Sequence, residues 1–192
     1  MNFRTSRQGG GLKSLLVAGA IGLTALSSPA LCATPVKGGT ISVATIGEPP
    51  TLDPMSSTAD LVGILTQHFF ETLYTFDAKW NLTPLLADKM PEVTPDGLVY
   101  TIALRQGITF HDGSKMDSSD VLASLKRWTE TATRGKMAAK VIANIEAPDA
   151  NTIRITLKQP YAPLTALLAM NNAAAVIMPK GKIAPVLTEI VG

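Results

Sequence analysis

Pro95-Asp96-Gly97-Leu98-Val99-Tyr100-Thr101-Ile102-Ala103-Leu104-Arg105-Gln106-Gly107-Ile108-Thr109-Phe110-His111-Asp112-Gly113 is the stretch whose pattern decides the fold. Asp96-Gly97 signals a turn, because glycine reaches positive φ without a Cβ clash and aspartate hydrogen-bonds nearby backbone. Beyond it Tyr100, Ile102 and Leu104 alternate with Thr101, Ala103 and Arg105, the period-two pattern of a strand with one face on a core. Gln106-Gly107 turns the chain into Ile108-Thr109-Phe110-His111, and Asp112-Gly113 turns it again. His111 beside Asp112 suggests chemistry, but a hairpin turn whose aspartate bonds its own backbone is the simpler reading.

Downstream, Asp117-Ser118-Ser119-Asp120 reads as a helix start, with a carboxylate three places beyond the capping residue. The helix that follows buries Val121, Leu122, Leu125 and Trp128. A strand is expected over Lys140–Glu146, a turn at Pro148-Asp149-Ala150-Asn151, and a cleanly alternating strand at Ile153-Arg154-Ile155-Thr156-Leu157. Pro160 and Pro163 lead into a helix burying Leu164, Leu167 and Leu168. Upstream, Thr40–Thr45 alternates as a strand, and Gly47-Glu48-Pro49-Pro50 stops it before a loop at Thr51-Leu52-Asp53-Pro54. Leu61, Ile64, Leu65, His68, Phe69, Thr72 and Leu73 share one face at helical spacing, which makes His68 a core histidine. Leu73-Tyr74-Thr75-Phe76 reads as a short strand and Asp77-Ala78-Lys79-Trp80-Asn81 as a turn, with Trp80, Tyr100 and Trp128 as packing residues. Hairpin-paired strands between separate helices give a mixed α+β layer structure rather than repeated parallel βαβ units.

The N-terminus has a different character. Arg4, Arg7 and Lys13 precede the apolar run Leu15–Leu26, then Ser27, Ser28, Pro29 and small residues up to Ala33, with no acidic residue before Glu48. That order is a secretory signal peptide over residues 1–33, and the run is shorter than the roughly 20 residues a membrane span needs. Setting the three basic residues aside takes the formal net charge from +2 to −1, which leaves nucleic-acid or anionic-membrane binding without electrostatic support. Cys32 is the sole cysteine, so a chain cleaved after Ala33 has no disulfide and no thiolate metal site. Leu31 before Cys32 is a poor match to lipoprotein processing.

Several motifs in one order carry a resemblance. Gly38-Gly39-Thr40-Ile41 with Glu48-Pro49-Pro50-Thr51-Leu52-Asp53-Pro54, then Phe70-Glu71-Thr72-Leu73-Tyr74, Pro84-Leu85-Leu86-Ala87, Pro95–Gly113 and Ser119-Asp120-Val121 resemble the family 5 extracellular solute-binding proteins of ABC transporters, the dipeptide- and oligopeptide-binding type. Met90, where a tryptophan is common, and Met116-Asp117-Ser118-Ser119 depart from the family pattern. The resemblance implies part of the first lobe of a two-lobed periplasmic binding protein of type II, with an extra subdomain. It places the start of lobe I at 34–57, the extra subdomain at 58–170 and the return to lobe I at 171–192, with the second lobe missing from the chain.

The function so implied is capture of a peptide or similar small solute, and its delivery to ABC permease membrane subunits by a periplasmic monomer. No cofactor is expected, and no catalysis. Within the chain the resemblance points to Ser56, Ser57, Thr58 and Ala59 as ligand contacts, against an ordinary polar loop with a helix cap. Met170, Asn171 and Asn172 are a second candidate set. Two other functions stay open at this point: a purely structural or nonfunctional fragment, and a secreted hydrolase using Asp or Glu with His. For the last there is no nucleophile elbow, HExxH or phosphate-cradling loop.

Overall fold

Asp117 opens the longest helix as its sequence predicts. Its carboxylate accepts from the Ser119 N–H at 2.7 Å, and the Asp120 carboxylate accepts from the Asp117 N–H at 3.0 Å, forming a reciprocal capping box. In the computed structural model, which describes residues 38–187 and 190–192, this helix organises everything around it. The chain divides into two compact units, Met1–Val43 and Ala44–Gly192. The signal peptide, Cys32 and residues 34–37 fall outside the described residues, as do Thr188 and Glu189. Of the first unit only 38–43 are described, without helix or strand, and Ile41 and Val43 are exposed. The strand expected over Thr40–Thr45 is therefore not formed, since alternation stabilises a strand only when a neighbour takes its hydrogen bonds and a core takes its face.

The second unit begins with a loop and α1 (Asp60–Thr66), then β1 (Tyr74–Phe76), β2 (Leu82–Pro84), β3 (Glu92–Val93) and β4 (Val99–Ala103). After these come α2 (Ser118–Thr131), α3 (Thr133–Ala139), β5 (Ile142–Asp149), β6 (Thr152–Leu157), α4 (Leu164–Leu167) and a 3₁₀ turn at Lys180–Lys182. β1 and β2 form an antiparallel hairpin, and the larger sheet runs β3-β4-β6-β5, antiparallel throughout. The register pairs Tyr100 with Ile155 and Ile102 with Ile153, so both alternating strands turn the same face inward. Val121, Leu125 and Trp128 of α2 join Tyr100, Ile102, Ile153, Ile155 and Leu157 in one buried cluster. Leu122 is only partly buried at its edge. Pro148 lies inside β5, which is tolerable because β5 is an edge strand.

The turns anticipated at Asp96-Gly97 and Asp112-Gly113 are present, whereas the one anticipated over Pro148–Asn151 is confined to Ala150-Asn151 because β5 runs through Asp149. Asp96 accepts from the Leu98 N–H, Gly97 adopts φ 71°, Asp112 accepts from the Ser114 N–H at 2.9 Å, and Gly113 adopts φ 82°. The Asp112-Gly113 turn is thus a self-bonded hairpin end.

Three further expectations need correction. α1 ends at Thr66, and its buried residues are Val62, Gly63 and Thr66, whereas Ile64 and His68 are exposed. His68 is not a core histidine: beyond α1 the chain winds through short turns, with His68 N–H on the Leu65 carbonyl and Phe69 N–H on Thr66. Apolar residues stand on both sides of this segment, so helical spacing alone could not choose the buried side. Trp80 is not a packing residue, being 81% exposed in the β1–β2 turn. In α4, Leu164 and Leu168 are buried while Leu167 is half-buried. α3 has no anticipated counterpart, and Gly135 is obligatory there, because a Cβ would lie 1.9 Å from the Trp128 carbonyl oxygen.

Candidate functional site

A polar stripe on α2 builds the candidate site from behind. Asp120, Ser124, Arg127 and Trp128 recur at helical spacing, all buried, and each binds the segment that returns after α4. The Asp120 carboxylate accepts from the Lys180 N–H at 2.9 Å, and the Ser124 hydroxyl accepts from the Met178 N–H at 2.9 Å. The Trp128 indole N–H donates to the Ala173 carbonyl at 2.9 Å, and Arg127 Nε donates to the Ala184 carbonyl at 2.8 Å. Apart from the isolated Thr72–Val176 bridge, this backbone crosses the core outside the named strands, and such side-chain acceptors and donors satisfy its polar groups.

Arg127 also forms a bidentate pair with Asp53, at 2.5 and 3.1 Å, both side chains buried. Asp53 in turn accepts from the Met55 N–H at 3.0 Å. This fixes the loop that carries Ser56, Ser57, Thr58 and Ala59. The return segment closes on the same loop: Ala174 N–H donates to the Pro54 carbonyl, and Ala173 N–H to the Ser57 carbonyl, each at 3.1 Å. Ala173 sits at φ 47°, a left-handed conformation held by the bonds on both its N–H and its carbonyl.

The two predicted residue sets are therefore brought together. Asn172 donates to Asp60 at 3.4 Å, and both its backbone and side-chain oxygens accept from Arg134. Asn171 packs so closely on α1 that a Cβ at Gly63 would lie 2.8 Å from its carbonyl oxygen. Ser56 is engaged with the Asp53 carbonyl, and the Ser57 hydroxyl accepts from the Ala59 N–H. Ala59 is the N-cap of α1 but offers no side-chain cap. Thr58 is exposed, and among the described residues neither its backbone N–H nor its carbonyl has a partner. The Ser57 and Asn171 N–H groups are likewise unpaired among these residues. The crossing thus presents free backbone donors and an acceptor on a rigidly held edge.

Sequence reading gave no role to Asp53, although it lies in a motif that carries the resemblance, nor to Ser124, Arg127 and Arg134. The first three carried a detectable signal, since Ser124 and Arg127 lie i+4 and i+7 from Asp120 and Asp53 sits between a loop and a proline. Arg134 had none. Among the described residues no group of three His, Cys, Asp or Glu side chains comes together as a metal site, and no helix is long and apolar enough to cross a membrane.

A helix-backed antiparallel sheet with a polar-stitched crossing is the architecture of part of a two-lobed periplasmic binding protein. The peptide-bound DppA from Helicobacter pylori, solved with the peptide STSA, matches with a TM-score of 0.60 at 32% identity, over 68% of this chain and 29% of that one. AgaA from A. tumefacien R10, solved with agropinic acid, matches with a TM-score of 0.64 at 31% identity, over 70% of this chain and 27% of that one. The glutathione-binding protein GsiB of Escherichia coli (strain K12) is 37% identical over 131 residues, 67% of this chain and 25% of the relative. The family model described as bacterial extracellular solute-binding proteins, family 5 Middle, matches residues 81–192. The chain belongs to this family of solute-binding proteins, and it spans about a quarter of the length of the GsiB relatives.

Proposed function

We propose that the chain forms part of the ligand-facing wall of an extracytoplasmic substrate-binding component of an ABC importer. It captures peptides or similar small solutes without chemistry and passes them to the permease. The signal peptide at 1–33 is removed on export and the protein works in the periplasm as a monomer. Residues 34–57 begin lobe I, 58–170 form its extra subdomain and 171–192 return to it.

The observation that carries the reading is the crossing of 56–59 with 170–172, where unpaired backbone groups at Ser57, Thr58 and Asn171 stand on an immobilised edge. An extended peptide presents a donor and an acceptor at every residue, and pairing with them as an added strand gives affinity with little dependence on side chains. Family membership, together with relatives named for glutathione and solved with a peptide or agropinic acid, supports small polar solutes as the cargo class.

The test is an NMR titration of the 192-residue chain with a tripeptide. Shifts confined to the amides of 56–59 and 170–172, saturating in the millimolar range that a single wall of about 4 kcal/mol supports, are expected. Shifts elsewhere only, or cleavage of the peptide, would overturn the proposal.

A further inference from the structure

The surface beside Met170 and Asn171 carries features the crossing does not use. Two cavities, of about 260 and 300 Å³, adjoin there and share Gln67, Thr75, Ala169 and Asn171. Trp80 and Phe76 wall the outer one, their ring centroids 5.9 Å apart. Across both linings the charged residues are Asp77 and Glu71, one carboxylate in each, and neither lining contains a lysine or arginine.

Trp80 is out of place for a folding role. It adopts φ 63° in the β1–β2 turn, where glycine or asparagine would sit without strain, and it leaves most of its indole in water. The turn itself is secured without the indole: the Asp77 carboxylate accepts from the Lys79 and Asn81 N–H groups and from the Asn81 side chain. Those bonds hold the Asp77 carboxyl below the usual range, so it stays ionised at neutral pH. An exposed indole face beside a fixed anion is suited to a cation, which is drawn to the ring quadrupole and to the carboxylate together.

We propose that the Trp80–Asp77 groove is a subsite for a cationic side chain, lysine or arginine, of a peptide held at the adjoining crossing. This deepens the solute-binding reading and rests on it. Asn171 belongs to both places, so a peptide whose backbone lies along Thr58 and Asn171 directs a side chain toward Trp80.

The experiment compares Ala-Lys-Ala with Ala-norleucine-Ala, equal in length but differing in charge, against the 192-residue chain. Binding is read by the amides of 56–59 and 170–172 and by acrylamide quenching of Trp80. The other tryptophan, Trp128, is buried and contributes little to quenching. The lysine peptide is expected to bind about fivefold more tightly and to protect Trp80. Trp80→Ala and Asp77→Asn should each abolish that preference, so that the two peptides then bind alike. Equal affinities, with both peptides shifting the crossing amides, would overturn the subsite and leave the solute-binding reading standing. If neither peptide shifts those amides, both fall.

Discussion

Helix α2 presents two neighbouring stripes, and the chain uses them in opposite ways. Val121 and Leu125 sink into an apolar cluster with β4 and β6. Asp120 and Ser124, each one residue before these, and Arg127, two residues after Leu125, are also buried but bind the return segment through named hydrogen bonds. The first contact is non-directional and tolerates small displacements at modest cost. The second is directional, and each of its groups becomes a liability once its partner is lost. An edge held in one register calls for the second kind, because hydrogen bonds fix register where apolar packing only fixes proximity.

The contrast can be broken most severely at the Asp53–Arg127 pair. Asp53→Ala leaves a guanidinium buried without its carboxylate, and a loss of about 3–5 kcal/mol is expected in urea unfolding. Replacing both partners by apolar residues should recover most of that loss; a double variant as unstable as the single would show that the pair is not the source. On the apolar side, Ile155→Ala should cost about 3 kcal/mol through a lost side chain and a residual cavity. Ile64→Ala, on the exposed side of α1, should stay within about 0.5 kcal/mol. Comparable losses at the two isoleucines would restore the helix face that the structure discards.

That pair of substitutions also marks where the sequence is legible. Tyr100, Ile102, Ile153 and Ile155 could be placed from alternation because each strand has one buried and one wetter face. The capping box at Asp117 and the Asp112-Gly113 turn were equally readable, being local bonds within a few residues. α1 buries the other side because Val62 and Thr66 compete with Leu61, Ile64 and Leu65 for the core, and the side that wins carries Gly63, which packs on Asn171 far along the chain. Of the candidate site, the two segments were reached only through family resemblance. Their juxtaposition depends on bonds such as Ala173 N–H to the Ser57 carbonyl, which no local pattern encodes.

Smaller effects are expected at the cap. Asp117→Ala removes the acceptor for the first turn of α2 and should cost about 1 kcal/mol. The Asp117 carboxyl is held below its usual range, chiefly by the Ser119 hydroxyl. A carboxylate with a depressed folded pKa contributes stability that is complete above its unfolded value, about 3.9, and is lost as pH falls through the folded value. Asp96, bonded by the Thr94 hydroxyl, and Asp112, bonded by the Ser114 hydroxyl, act in the same direction. Stability measured against pH should fall below about pH 4, and Asp117→Asn should make that fall shallower. An unchanged acid limb in the variant would remove Asp117 from the account.

The smallest effect should have the opposite sign. Trp80→Gly places a residue without a Cβ at φ 63°, relieving a left-handed conformation that a bulky side chain adopts only under constraint. Against that relief stand the greater freedom of glycine in the unfolded chain and the loss of the tilted contact with Phe76. The balance should be a gain of up to about 0.5 kcal/mol. A turn that becomes more stable without its tryptophan has kept that side chain for something other than folding, and the lysine-peptide preference is the property that should vanish with it. A loss of more than about 1 kcal/mol on substitution would instead make Trp80 a structural residue, and the left-handed turn would need a packing explanation.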